Sequence, residues 1–154
     1  MQPSPSGISM VDRIEHEVHI LAPIERVWSL LTVPENVARW YAFDGAEIDL
    51  RPQGVLVFRW NEHGAFRGRI ERVSAPNYLA FRFVGHVPDV EPQVGNSTLV
   101  EFHLEERDGG TLVRVVESGF ATLIPPDEGG TPKATISLGG WRAGFASLRA
   151  HAEA

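Results

Sequence analysis

Between Asp44 and about Gly119 the chain alternates apolar and polar residues with period two, and each run is cut short by Gly, Pro or Asn. That alternation places successive side chains on opposite faces of an extended backbone, so the segment reads as a meander of short strands. The strands are read over residues 47–50, 55–60, 65–73, 78–84, 97–105 and 111–118. Pro52-Gln53-Gly54, Glu62-His63-Gly64, Pro76-Asn77 and Asp108-Gly109-Gly110 lie between strands and offer the positive or fixed φ that tight reversals need. Strands joined by such short connections favour an antiparallel sheet.

The flanks of the meander have other periods. Residues 13–21 put Ile14, His16, Val18 and Ile20 on one side and Glu15, Glu17 and His19 on the other, a half-buried strand. Pro23 suits the first turn of a helix, and Val27, Trp28, Leu30 and Leu31 give that helix an apolar stripe. A second short helix starts near Pro34 and carries Val37, Trp40 and Tyr41. After a loop over residues 125–130, Thr131-Pro132 is a helix-start signal, and Leu138, Trp141, Phe145, Leu148 and Ala152 then recur at three and four residues. The predicted helix is about 30 Å long at 1.5 Å per residue, enough to cross a sheet. Gly139, Gly140 and Gly144 each weaken it by about 1 kcal/mol relative to Ala, which points to a bend or a close approach by another surface. Residues 1–12, rich in Pro, Ser and Gly, read as a disordered lead, and residues 13–154 as one domain.

Composition removes several function classes. Hydrophobic residues at 43% and charged residues at 22% are ordinary globular usage. A net charge of −6 with no Lys/Arg cluster repels phosphate backbones and anionic lipid, so nucleic acid and membrane are not expected partners. The chain has no cysteine, which removes disulfides, thiolate nucleophiles and Cys-based zinc sites. No signal peptide or apolar run of membrane-spanning length is present, and a cytoplasmic location is expected. The His residues have no His-x-x-x-His or Glu-x-x-His spacing, no phosphate-cradling Gly loop follows a strand, and Ser118-Gly119 lacks the Gly-x-Ser-x-Gly context. No metal and no cofactor are expected.

Short motifs run through this frame in a fixed order: Ala22-Pro23-Ile24-Glu25-Arg26-Val27-Trp28, Pro34-Glu35-Asn36-Val37-Ala38-Arg39-Trp40-Tyr41 and Asp49-Leu50-Arg51-Pro52-Gln53-Gly54. Gly68-Arg69-Ile70, Leu79-Ala80-Phe81, Glu117-Ser118-Gly119-Phe120 and Gly140-Trp141 follow. Together, from Ile14 to Leu148, they resemble the START-like superfamily, in the group named after the C-terminal domain of the activator of the heat-shock protein 90 ATPase. The resemblance implies an α+β helix-grip fold of the START/Bet v kind. Its seven-stranded curved antiparallel sheet surrounds a long C-terminal helix in the order β-α-α-β6-α, as the periodicity above also reads. It does not imply one function, because relatives include lipid and polyketide binders, cyclases, hydrolase-like resistance proteins and chaperone activators. The eukaryotic co-chaperone has a further N-terminal domain for which this chain leaves no room, so chaperone activation is not the expected role. A homodimer is left open.

A curved sheet and one helix seldom close completely, so large inward side chains are candidates to line a cavity for a small hydrophobic molecule. Phe58, Trp60, Phe66, Phe81, Phe83 and Phe102 share a side on successive strands, facing Trp141 and Phe145; any one of them taken alone reads first as core, since apolar stripes are ordinarily packing, and the fold resemblance is what raises the cavity. Trp40 and Tyr41, with Phe43, either guard an entrance or pack the short helix on the sheet edge. Glu117 continues the apolar row Val113, Val115, and an unpaired buried carboxylate there would cost several kcal/mol. It needs a partner, a proton or water. His16 lies on the apolar side of the first strand and could face the same space. The pair could orient a ligand, perform acid/base chemistry or form a structural hydrogen bond. Arg59, Arg69 and Arg82 could turn one guanidinium inward, or make an outer face with Glu71 and Glu101. The leading reading is therefore a binding module for a lipid- or polyketide-like molecule. Its alternatives are a cyclase, dehydratase or hydrolase, and a protein-interaction domain.

Overall fold

β1 (Arg13–Ile20) buries Ile14 and Ile20 and turns Arg13, Glu15 and Glu17 outward, as its alternation requires. These assignments come from a computed structural model that describes residues 11–127 and 129–154. Of the expected N-terminal lead, residues 1–10 lie outside the described residues. Asp12 is held in place, since its carbonyl accepts from the Gly119 and Phe120 amides at 3.0 and 3.2 Å.

After β1 come α1 (Ile24–Thr32) and α2 (Pro34–Trp40). Pro23 and Pro34 stand at the two helix starts, where a missing N–H costs nothing. Val27, Leu30 and Leu31 of α1 and Val37 and Trp40 of α2 are buried, and Trp40 Nε1 donates to Leu30 O at 2.7 Å, locking the two helices together. The meander follows as β2 (Ala46–Ile48), β3 (Val55–Trp60), β4 (Gly64–Ser74), β5 (Tyr78–Phe83), β6 (Thr98–Arg107) and β7 (Gly110–Ser118).

The strands form one antiparallel sheet in the order β1-β7-β6-β5-β4-β3-β2. Strands consecutive in sequence are neighbours from β2 to β7, and only β1 crosses, lying beside β7 at the far edge. Register aligns the inward residues: Phe58 opposes Phe66, Ile70 opposes Phe81, Leu79 opposes Phe102, and Phe102 opposes Val115. A bulge at Ile70/Arg72 shifts β4 against β5. Gly119, at φ +98°, ends β7 in a backbone conformation that L side chains rarely adopt, and a single turn (Phe120–Thr122) carries the chain away from the sheet.

α3 (Lys133–Glu153) covers the sheet, burying Trp141, Gly144, Phe145, Leu148 and Ala152. The expected start signal, Thr131-Pro132, is displaced by one residue, and the cap is another side chain. The Asp127 carboxylate reaches the Lys133 amide at 3.3 Å and the Lys133 ammonium at 2.9 Å. On the outer face Arg82 pairs with Glu71 at 3.4 Å, Arg69 with Glu91 at 3.6 Å and Arg59 with Glu47. None of these three arginines turns inward. Glu101 accepts from the Tyr78 hydroxyl rather than pairing with an arginine.

Candidate functional site

α3 changes in side-chain size along the face it turns to the sheet. Its C-terminal half presents Phe145 and Leu148, both fully buried, and there helix and sheet are in contact. Its N-terminal half presents Ser137 and Gly140, whose small size leaves space between helix and sheet. The gap left is a cavity of about 510 Å³. Its walls are Tyr41 from the end of α2, Trp60 of β3, Phe66 of β4, Phe83 of β5, Trp141 of α3, and Phe120 and Leu123 after β7. A volume in this range suits a small organic molecule, and aromatic walls with a few polar groups are the usual make-up of such a site. A larger hollow of about 670 Å³ crosses the outer face of the sheet, but its charged lining, Arg69, Glu71 and Arg82, is already paired and it has no aromatic wall.

The deep polar group is Glu117, only 4% exposed. It sits on β7 between Val100 of β6 and Ile14 of β1, so no charged neighbour flanks it within the sheet. Its hydrogen bonds instead come from β6 and α3. Thr98 Oγ1 donates to Oε2 at 2.6 Å, Trp141 Nε1 donates to Oε1 at 2.8 Å, and the Ser137 hydroxyl also donates to Oε1. Three donors suit the carboxylate, which only accepts. They offset a burial cost that would otherwise be several kcal/mol. The same bonds tie α3 to the sheet at the cavity.

Tyr41 forms one side of the chamber. Its ring stacks on Trp141, with centroids 5.4 Å apart and planes 12° from parallel, and on Trp40 at 5.1 Å and 30°. Trp60 meets it edge-on at 5.0 Å and donates Nε1–H to the Tyr41 carbonyl at 2.6 Å. Each aromatic pair is worth about 0.5–1.5 kcal/mol beyond the area it buries, so this wall is rigid. Burial, and then the charge of Glu117, push the Tyr41 phenol well above its ordinary value. It stays a neutral phenol through the physiological range. Gly144 explains how the ring fits: a Cβ there would come within 3.3 Å of Tyr41 Cδ1.

The rim is more polar. His63, His86 and Lys133 border the opening. Burial and the nearby Lys133 ammonium hold the His86 imidazole below its ordinary value, so it is neutral at pH 7. Lys133 is engaged by Asp127, whose carboxyl that ammonium holds below the usual carboxylate range. Among the described residues no cluster of three or more His, Asp or Glu side chains is placed to hold a metal ion. No described helix is long and apolar enough to cross a membrane.

The family follows from the whole domain. The model of the family described as "Activator of Hsp90 ATPase homolog 1-like protein" matches residues 21–153. The chain belongs to that family. Solved structures with the same fold include the Aha1 dimer from Colwellia psychrerythraea, 21% identical over 94% of this chain and 97% of that one, with a TM-score of 0.73. An AHSA1-like protein from Aeromonas hydrophila is 23% identical over 90% of each chain, at 0.67. DynU16, a putative protein in the dynemicin biosynthetic locus, is 20% identical at 0.72 over 92% of this chain and 47% of that one, so this chain spans about half of it. No functionally curated protein matches in sequence.

Within this activator-homolog fold the aromatic row divides in two. Tyr41, Trp60, Phe66, Phe83, Trp141 and Glu117 line the cavity. Phe58, Phe81, Phe102 and Phe145 lie outside the lining and pack in a chain of ring contacts, Phe58 on Phe81, Phe81 on Phe102 and Phe102 on Phe145. Trp40 is core as well, sealed behind Tyr41, while Phe43 is 62% exposed and outside the lining. His16 stands opposite Val115, one step off Glu117, and packs on the Phe145 ring at 5.9 Å. It therefore makes no pair with Glu117. Sequence reasoning missed Thr98, Ser137 and Gly140. The signal for the last two was present in the spacing Ser137-Gly140-Trp141-Gly144, a stripe of small residues around one indole on a helix face.

Proposed function

We propose that this domain binds a small, largely apolar aromatic molecule in the cavity between α3 and the sheet. The observation that carries the reading is the division of α3: the helix seals the sheet along Phe145 and Leu148 but presents Ser137 and Gly140 where the aromatic walls stand apart. A protein under selection for packing alone would fill that space, since a void forfeits contact energy along its whole lining. The cyclase or hydrolase reading needs a free acid or base. Three donors already occupy Glu117, so binding is favoured over acid/base chemistry. That a fold relative, DynU16, is placed in the dynemicin biosynthetic locus supports a small-molecule setting. Chaperone contact and a homodimer, the assembly named for the Colwellia protein, form no part of this reading.

The test is titration with naphthol, read by tryptophan fluorescence. Trp60 and Trp141 line the cavity and should be quenched saturably. Gly140 has open space where a Cβ would stand, so Gly140→Leu keeps the helix and should abolish the saturable phase. Absence of saturation in the wild type, or equal binding by G140L, defeats the reading.

A further inference from the structure

Glu117 carries a negative charge into an aromatic chamber, and no Lys, Arg or His among the described residues forms an ion pair with it. Its partners are two hydroxyls and an indole N–H, all neutral. They satisfy hydrogen bonds without cancelling the charge. Oε1 accepts from Ser137 and Trp141, whereas Oε2 accepts only from Thr98, which leaves Oε2 a lone pair for one further donor. Lys133, the one Lys or Arg among the described residues that line the cavity, is engaged by Asp127, and burial favours the neutral form of His86. Around the site the molecule as a whole is acidic, at −6.

We propose that the ligand of this cavity is an arylalkylamine, its aromatic body between the ring walls and its protonated amine donating to Glu117 Oε2. The inference rests on the binding reading above and adds the charge of the ligand to it. An ammonium supplies both things the site lacks, a fourth donor and a compensating charge, and a charge-assisted bond of this kind is about twice as strong as a neutral one. Ring faces attract ammonium groups and disfavour anions, so the walls act in the same direction. A neutral alcohol supplies the donor without the charge, and a carboxylate supplies neither.

Three probes that share a naphthyl body separate the possibilities: naphthylethylamine, naphthylethanol and naphthylacetate, titrated calorimetrically at neutral pH. The amine should bind tighter than the alcohol by on the order of tenfold, with the acetate weakest. In Glu117→Gln the preference of amine over alcohol should vanish while alcohol binding persists. Equal binding of amine and alcohol, or tightest binding of the acetate, overturns the charge inference and leaves the binding reading standing. Failure of all three to bind removes both. Should E117Q not fold, the wild-type ranking decides alone. Thr98→Val, which frees Oε2 of a donor but keeps the charge, should then retain the preference, and its loss would count against the inference.

Discussion

Replacing Glu117 by Leu leaves the Thr98 and Ser137 hydroxyls and the Trp141 indole N–H without their acceptor at the cavity wall. Orphaned buried donors cost about 1–3 kcal/mol each, and cavity water relieves part of this, so E117L should lose about 2–4 kcal/mol in urea unfolding. Ser137→Ala removes only one of the three donors and should cost about 1 kcal/mol. A smaller loss for E117L than for S137A would mean that the carboxylate does not organise the site. The tyrosines give an independent check, since the chain has only two. Tyr78 is pushed up to about 12 by burial and by its hydrogen bond to Glu101, and Tyr41 is raised further by burial and Glu117. Because the folded state holds these protons above the unfolded value of about 10, stability is intact below that pH and falls as pH rises towards 12. Ultraviolet titration should therefore show no tyrosinate with a midpoint near 10 while the protein stays folded. At this scale Glu117 was legible because it interrupts an apolar row. Its partners were not, since Thr98 and Ser137 stand 19 and 20 residues away and meet it only through register and helix docking.

Along α3 the glycines separate by what faces them. Gly139 and Gly140 have no atom within 4 Å of a built Cβ, whereas at Gly144 the Tyr41 ring stands at 3.3 Å. Gly139→Ala should therefore stabilise the protein by about 0.5–1 kcal/mol through helix propensity. Gly144→Leu should destabilise it by about 1–3 kcal/mol, because Tyr41 is held between two indoles and cannot retreat. Thermal unfolding of the pair reads both signs at once. The elements themselves were legible within a residue or two, because period two and period 3.6 are distinct and the turns are marked by Gly, Pro and Asn. The side chain that caps α3 was not. Thr131 stands next to Pro132 in the sequence, but the side chain that reaches Lys133 belongs to Asp127, brought there by the path of the loop.

For the molecule as a whole, one sheet and one helix form both the core and the cavity, so stability and binding can be separated by position along α3. Phe145→Ala, in the sealed half, should cost about 3–5 kcal/mol, whereas Gly140→Leu, in the open half, should leave the unfolding midpoint unchanged or higher. The α+β architecture and strand order were readable from periodicity together with the family motifs. Which aromatic rings would be wall and which core was not, because the inward row is chemically uniform and the division is made by the size of the helix residues opposite. The most direct test of the central claim is the proton–nitrogen spectrum of the four tryptophan indoles during titration with naphthol. The account predicts saturable shifts of the Trp60 and Trp141 indole signals, with Trp28 on α1 unmoved. Shifts of all four alike, or of none, would contradict it.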